Sequence, residues 1–228
     1  MALVGKGALV IWHDVRDEVD YNEWHSKEHM LERVAVPGFR RGLRYVAVSG
    51  SPKYLSFYEV DDLATLTSGP YLARLNDPTP WTRRALSGVC NNSRTLCRVV
   101  ASSGVGICGL LLTVQLAPQP ARAGKLRAWL SEEVPAELLR RPGIIGAHLL
   151  EGDPAASRTG TEEKRLRGAA DAIADWIFLA GGYYADALQR VGEETLSEER
   201  LRAHGAAAAP TAGLYQLLHA VTEPDLRA

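Results

Sequence analysis

The two halves of this 228-residue chain repeat one pattern, and the repeat limits the fold more than any other feature. Four residues of the first half recur, unchanged in type, 105 positions later. The four pairs are Trp24 and Trp129, Glu28 and Glu133, Pro37 and Pro142, and Gly38 and Gly143. Because chance rarely supplies four matches at one offset, we interpret the chain as a tandem duplication of a unit of ordinary domain size.

The first half predicts the element order strand, helix, strand, strand, helix, strand. The predicted bounds are 7–13, 20–34, 42–49, 53–60, 62–76 and 93–100. A capping box of Asp20 and Glu23 opens the first helix, and Pro37 with Gly38 ends it. The turn-forming residues 50–52 separate the two central strands, which therefore read as a hairpin. This order is the ferredoxin-like split βαββαβ motif.

The second half predicts the same order, with strands at about 106–116, 144–151, 174–180 and 213–221. The polar segment 153–170 reads as an exposed loop that lengthens the second hairpin. A four-stranded sheet with helices on one face needs cover on its other face, and two such sheets can cover each other. The predicted fold is therefore α+β: two tandem ferredoxin-like modules, 1–102 and 103–228, whose antiparallel sheets pack as an α/β barrel within one chain.

Composition and motifs exclude several classes of function. The net charge is −1 and the basic residues are scattered, so no nucleic-acid-binding surface is expected. Three cysteines show no metal-ligand spacing, and their odd number argues against a disulfide framework. The chain has no apolar stretch long enough to span a membrane and no signal-peptide pattern, so a cytoplasmic protein is expected. The nucleotide-binding motif G-x-G-x-x-G and the P-loop are also missing.

Three stretches of the first half carry a family resemblance: YNEWHSKEHMLERVAVPGFRRGLRYV (21–46), PKYLSFYEVDDLATLTSGPYLARL (52–75) and PTPWTRR (78–84). The matching motifs in these stretches are Tyr-x-x-Trp-x-x-x-Glu-His, Val-Pro-Gly-Phe, Arg-Tyr and Tyr-Leu-x-x-Tyr-Glu. On these words the chain resembles the dimeric α/β-barrel superfamily, and within it the EthD-like and related uncharacterised branches. The superfamily includes monooxygenases, polyketide cyclases, isomerases and haem enzymes, so the resemblance implies a fold without choosing a reaction.

The segment His25-Ser-Lys-Glu28-His29 matches the H-x-x-E-H word of inverted zinc peptidases. Helical spacing of four places the two imidazoles on one face of the helix. Such a zinc site needs a further carboxylate ligand within a helical fold, which the ferredoxin-like order does not provide. We therefore favour a metal-free interpretation and expect no cofactor.

Comparison of the two copies points to a pocket. The second copy keeps Glu133 but has Leu130 and Val134 where the first copy has His25 and His29. Apolar residues at both matched positions indicate that these positions are at least half buried. We therefore expect the two histidines to line an internal space in the first copy, although a structural histidine with a satisfied hydrogen bond remains the alternative.

The predicted catalytic residues are His25, His29 and Glu28, with the histidines as general acid or base and the carboxylate orienting an imidazole. Tyr45 or Tyr58 would donate a hydrogen bond to a developing oxyanion. The expected pocket residues are His13, Trp24, Arg44, Tyr45, Tyr58 and Trp81. Arg44 and Tyr45 are neighbours on one strand, so their side chains must point to opposite faces.

Three functions remain open at this point, and whether the chain is an enzyme at all is one of the open questions. The first is a cofactor-free enzyme that oxygenates, cyclises or isomerises an aromatic or polyketide-like compound. The second is a non-catalytic binding protein for a small hydrophobic molecule, or an accessory protein of a catabolic pathway. The third is a haem protein, for which only His204 lies on a predicted helix of the second half. A duplicated chain can be monomeric or can pair again as a homodimer.

Overall fold

Eight strands close into one barrel in the computed structural model, which describes residues 3–227. The strands are β1 (Gly7–Val15), β2 (Phe39–Ser49), β3 (Tyr54–Val60), β4 (Val89–Gly104), β5 (Leu110–Leu116), β6 (Ile144–Gly152), β7 (Trp176–Gly182) and β8 (Thr211–Thr222). Their order around the barrel is β1-β3-β2-β8-β5-β7-β6-β4, and β4 pairs with β1 to close it. All neighbouring strands are antiparallel.

Each half contributes one ferredoxin-like sheet to the barrel. The first sheet has the order β4-β1-β3-β2 and the second has β8-β5-β7-β6. The sheets meet at two equivalent seams, where β2 pairs with β8 and β4 pairs with β6. This confirms the predicted fold class. The predicted division after residue 102 lies within β4, and residues 1, 2 and 228 of the two predicted units lie outside the described range.

Helices cover the outer face of the barrel. They are α1 (Glu18–Trp24), α2 (Met30–Val34), α3 (Gly69–Asn76), α4 (Pro80–Leu86), α5 (Ala123–Ala128), α6 (Val134–Leu138), α7 (Pro154–Ser157), α8 (Glu162–Arg167), α9 (Ala185–Arg190) and α10 (Glu198–His204). Short 3₁₀ helices lie at Leu63–Thr67, Pro120–Arg122 and Glu223–Arg227. No helix in residues 3–227 is both long and apolar enough to cross a membrane.

A π-helical turn joins α1 to α2 and carries both histidines of the H-x-x-E-H word. It spans His25–His29, and the amide of Met30 donates to the carbonyl of His25 five residues earlier. The matching turn Trp129–Glu133 joins α5 to α6 in the second copy. Such turns often occur at functional sites. Here the turn is present in both copies, so it belongs to the duplicated fold and does not by itself mark the site.

The first helix begins earlier than predicted. Its N-cap is Asp17, whose carboxylate accepts hydrogen bonds from the amides of Val19 and Asp20. The predicted capping box is therefore wrong: Asp20 lies inside the helix, and the exposed Glu23 pairs with Lys27 instead of reaching back to a cap. The helix begins at Asp17 because the Asp17 carboxylate satisfies the free amides of the first turn, about one turn before Asp20 could do so.

The inside and the outside of the barrel are separate apolar cores. Strand side chains alternate between the two faces, so neighbouring residues enter different cores. The interior core includes Trp12, Leu43, Tyr45, Phe57, Leu111 and Tyr215. Outside the barrel, the helices of the second half cover a core that includes Leu126, Trp129, Leu130, Val134, Leu138 and Leu201. The corresponding outer face of the first half carries the polar groups described below.

The segment 153–170, predicted as an exposed loop, instead folds against the first half. It contains α7 and α8, and Ser157 and Glu163 within it are buried. The hydroxyl of Ser157 accepts from the amide of Leu96 at 2.9 Å, which fixes the segment to β4. Farther along, the amide of Arg94 donates to the carbonyl of Ala172 at 2.8 Å. Part of the polar composition that suggested a solvated loop belongs to a buried ion pair with the first half, that of Glu163 with Arg33.

Candidate active-site cavity

A small cavity lies between the outer face of the first sheet and the helices that cover it. Its volume is about 40 Å³. A cavity needs roughly 10–15 Å³ to hold one water molecule, whereas one that binds benzene measures about 150 Å³. In this closed form the cavity can hold a few waters or a very small ligand. It is lined by Leu9, Ile11, His13, Tyr21, Trp24, His25, His29, Arg33, Ser56, Tyr58, Tyr71, Leu75, Leu86, Val89, Asn92, Arg94, Glu163 and Arg167.

His25 is fixed in the cavity wall by a residue of β3. Its Nε2 lies 3.1 Å from the hydroxyl of Ser56, whereas its Nδ1 is buried without a hydrogen-bond partner. Burial lowers the pKa of His25 well below its usual value, and the neighbouring His29 and the charge of Arg44 lower it further. His25 is therefore a neutral imidazole at pH 7, held by one ring nitrogen with the other unused.

His29 lies beside it, one turn along the same helical run. The ring centroids of the two histidines are 5.2 Å apart, and His29 packs on the indole of Trp24 at 4.3 Å. Its Nδ1 is also buried and unpartnered. Burial and the adjacent Arg33 hold the pKa of His29 well below its usual value, so this imidazole is neutral as well.

A third histidine meets a tyrosine at the end of the cavity. The Tyr21 hydroxyl lies 2.5 Å from Nε2 of His13, and both groups are buried. Burial, followed by the charge of Arg44, lowers the pKa of His13 to about 3. Burial raises the pKa of the Tyr21 hydroxyl, so the pair is a hydrogen bond between two uncharged groups at neutral pH.

Charged groups of both halves surround these rings. Arg33, at the end of the first helical run, forms a buried ion pair with Glu163 of α8. Arg94 donates from Nη2 to the hydroxyl of Tyr71 at 3.0 Å. Arg167, also on α8, pairs with Asp171 at 3.0 Å. The second half of the chain therefore contributes to the wall of the first half's cavity.

The structure places Glu28 away from the imidazoles. Its carboxylate accepts from the hydroxyls of Thr79 at 2.6 Å and Thr82 at 3.2 Å. Thr82 in turn accepts from the indole of Trp24 at 3.1 Å. Glu28 thus ties the first helix to α4, a helix that the sequence patterns did not predict, and it cannot orient a histidine. Ser56 occupies the orienting position instead.

Three of the predicted pocket residues also lie elsewhere. Tyr45 faces the barrel interior, because it alternates with Arg44 along β2. Trp81 on α4 is partly buried against the cluster of Tyr21 and Trp24, and its indole donates to Asp20 at 3.0 Å. Arg44 adjoins the cavity from behind, with its guanidinium 5.3 Å from the ring centre of Tyr21. The predicted residues that do line the cavity are His13, Trp24, His25, His29 and Tyr58.

Some residues of the wall could have been found in the sequence and others could not. Arg33 follows His29 by four positions on one helical face, which was a usable signal. Arg94 is one of two arginines in the predicted strand 93–100, and the strand pattern did not show that this one is buried. Glu163 and Arg167 come from the other half of the chain, and no local pattern connects them with the histidines.

The second copy is filled at the matched positions. Leu130 and Val134, which replace the two histidines, are completely buried in the aliphatic core around Trp129. The same kind of helix packs on the same kind of sheet in both halves. The polar cavity is therefore a property of the first copy's side chains and not of the duplicated backbone.

The side chains of the structure test whether the H-x-x-E-H motif could bind zinc and whether His204 could bind haem. Within residues 3–227, no three His, Cys, Asp or Glu side chains come close enough together to hold a metal ion. His204, the candidate haem ligand, stacks on Trp129 at 3.9 Å, and its Nδ1 is 2.8 Å from the carbonyl of Arg200. The aliphatic core packed around Trp129 leaves no space suited to a porphyrin beside His204. These residues do not fit a haem.

The buried histidines predict that stability falls in mild acid. The folded-state pKa values of His13, His25 and His29 lie below the unfolded value of about 6.5, so the unfolded chain binds more protons as pH falls from there toward 3. Each such proton lowers the free energy of unfolding by about 1.4 kcal/mol per pH unit. Urea unfolding between pH 7 and pH 4 should show a steep slope. The slope should flatten in His25→Leu/His29→Val but not in the control His204→Gln, which changes a histidine of the second half outside the cavity. An unchanged slope in the double variant would contradict neutral burial.

The comparisons with known proteins concern the fold. No protein-family model and no curated protein matches the sequence. An anthrone oxidase-like protein of known structure has a TM-score of 0.64 at 14% identity, covering 97% of this chain and 95% of its own. A candidate monooxygenase from Lactobacillus acidophilus has a TM-score of 0.60 at 7% identity, covering 96% and 97%. A candidate chlorite dismutase has a TM-score of 0.52 at 14% identity, covering 93% and 94%. This chain has the dimeric α/β-barrel fold, with two ferredoxin-like modules in one polypeptide.

Proposed function

We propose that this protein is a cofactor-free enzyme that removes a proton from an acidic carbon or a phenol of a small molecule, with His25 as the base. One observation carries the proposal: a neutral imidazole in a closed cavity has one nitrogen held by Ser56 and the other unpartnered. A base that is oriented through one ring nitrogen and free at the other is the usual arrangement for general-base catalysis.

The proton transfer balances without a cofactor. Nε2 of His25 donates to the Ser56 hydroxyl, which leaves the lone pair on Nδ1 to take the substrate proton. The C–H bond breaks, its electron pair forms an enolate, and the proton remains on the imidazolium. Return of that proton to another carbon completes an isomerisation. Attack of the enolate carbon on O₂, followed by protonation, gives a hydroperoxide and begins an oxygenation.

The low pKa of His25 makes its imidazole a weak base, so the cavity must stabilise the product anion. Tyr58 and Arg33 supply unpartnered donors for that purpose. Burial raises the pKa of the Tyr58 hydroxyl, which therefore stays protonated and able to donate. In a water-excluding site such preorganised donors contribute more than they would in water.

For the substrate we propose an aromatic or polyketide-like ketone. The anthrone oxidase-like and monooxygenase names of two structural neighbours support that class. Even a single aromatic ring needs a larger volume than this cavity of about 40 Å³, so an aromatic substrate can enter only if the helices that cover the cavity move. The cover includes α8, which is held over the cavity by the pair of Arg33 and Glu163.

Deuterium incorporation tests the proposal because it follows the proton transfer itself, whatever the final product is. Anthrone, 2-tetralone and acetophenone are incubated with the protein in D₂O, and mass spectrometry follows incorporation at the acidic carbon while an electrode follows O₂ uptake. We expect exchange above the buffer rate for at least one ketone, and a loss of about 100-fold or more in His25→Leu. His204→Gln, a change in the second half outside the cavity, should exchange like the wild type. Exchange in His25→Leu at the wild-type rate would eliminate His25 as the base.

The strongly lowered histidine pKa values also favour a second candidate, a protein that binds a small hydrophobic molecule without changing it. In that case the same ketones would bind, as shown by calorimetry, but would show neither exchange nor O₂ uptake. Binding without chemistry would support this alternative over the enzyme.

A further inference from the structure

We propose that the cavity takes its ligand as an organic oxyanion, a carboxylate or an acidic enol bound in its ionised form, and that Arg94 contacts the charged oxygen. The inference rests on the proposed function only in using the same cavity. The new element is the negative charge of the ligand, which follows neither from the fold nor from the histidines.

Buried positive charge is in surplus around the cavity. Four guanidinium groups lie in or against it: Arg33, Arg44, Arg94 and Arg167. Two of them have carboxylate partners, which are Glu163 for Arg33 and Asp171 for Arg167. Arg44 and Arg94 have no carboxylate partner within residues 3–227. Because an isolated buried charge is unfavourable, the site is incomplete without a negative group.

The environments of the two remaining arginines differ. Arg44 donates to Asn22 and lies over two aromatic rings, 5.3 Å from the centre of Tyr21 and 4.9 Å from that of Tyr54. These cation–π contacts partly replace a counter-ion. Arg94 is 6% exposed and lines the cavity, and among the described residues its only side-chain partner is the neutral hydroxyl of Tyr71. Arg94 is therefore the charge that most needs an anion.

Two hydrogen-bond donors of the cavity wall lack acceptors. Nη1 of Arg33 and the hydroxyl of Tyr58 are buried without partners, as are the Nδ1 atoms of His13, His25 and His29, and all five residues line the cavity. The carboxylate of Glu163, the acidic side chain of the wall, already accepts from Arg33. A ligand that satisfies the two donors, Nη1 of Arg33 and the hydroxyl of Tyr58, must supply acceptor oxygens. An oxyanion supplies them together with the missing charge, and hydrogen bonds to an ionised acceptor are about twice as strong as neutral ones.

Matched pairs of acids and amides test the charge directly. Calorimetry at pH 7 compares acetate with acetamide and benzoate with benzamide, since each pair has nearly the same shape and differs in charge. We expect at least one acid to bind ten times more tightly than its amide, and that preference to disappear in Arg94→Met. The control is Arg98→Met on the same strand, whose side chain is 63% exposed and pairs with Asp153 at the surface.

The outcomes separate this inference from the proposed function. An acid preference that depends on Arg94, without any ketone exchange, leaves the anion site standing and removes the enzyme. Ketone exchange together with equal affinity for acids and amides supports the enzyme and removes the anion site. Equal binding of acids and amides, an acid preference that survives Arg94→Met, or no acid binding at millimolar concentration overturns the anion site. Unfolding curves of Arg94→Met show that any loss of affinity occurs in a folded protein.

Discussion

Replacing Arg33 with methionine should lower the free energy of unfolding by about 3–5 kcal/mol. The substitution leaves the carboxylate of Glu163 buried without its partner. A buried charge pair adds little to stability in itself, but breaking it from one side leaves an uncompensated charge. Urea unfolding followed by circular dichroism measures the loss.

The double variant Arg33→Met/Glu163→Leu should recover most of that stability, because both charges are then removed together and apolar groups of similar size take their place. The control is Arg40→Met, which breaks an exposed ion pair with Asp61 and should cost at most about 1 kcal/mol. If Arg33→Met cost no more than Arg40→Met, the segment that carries α8 would not be closed over the cavity as described.

The second large effect concerns exchange of residues between the two copies. Leu130→His places an imidazole in a filled aliphatic core and should lower the free energy of unfolding by about 3–5 kcal/mol. The reverse exchange in the first copy, His25→Leu/His29→Val, removes two ring nitrogens that already lack partners and breaks one hydrogen bond, that of His25 with Ser56. It should lower the free energy of unfolding by at most about 2 kcal/mol, since the loss of one buried hydrogen-bond partner costs about 1–3 kcal/mol and the apolar replacements offset part of it.

This asymmetry distinguishes a functional cavity from structural histidines. If His25 and His29 were satisfied structural residues, their replacement would cost about as much as Leu130→His. A loss of several kcal/mol in His25→Leu/His29→Val would therefore contradict a functional role for the pair, even if Leu130→His behaved as expected.

The fold could be predicted from the sequence because its signals are local and occur twice. The matched pairs, such as Trp24 with Trp129, fixed the repeat, and strand and turn patterns supplied the element order. Gly38 and Gly143 adopt the same left-handed backbone, with φ of 93° and 90°, so the repeat extends to the backbone conformation after each first helix. The closure of the barrel followed from the need of each sheet to cover one face.

The site could be predicted only in part. The comparison of the two copies located His25 and His29, because the second copy has aliphatic residues at these buried positions. A polar residue at a buried position usually needs a structural or functional reason. It could not locate Glu163, since the contact with Arg33 spans 130 positions. Strand alternation separated Arg44 from Tyr45 but could not say which of the two faces the barrel interior.

The most direct test of the proposed chemistry is deuterium exchange measured on His25→Leu/His29→Val, the first copy rebuilt with the second copy's residues. We expect a folded protein that exchanges no ketone proton above the buffer rate, while wild type and His204→Gln both do. A folded double variant that exchanges at the wild-type rate would show that the chemistry does not occur in this cavity.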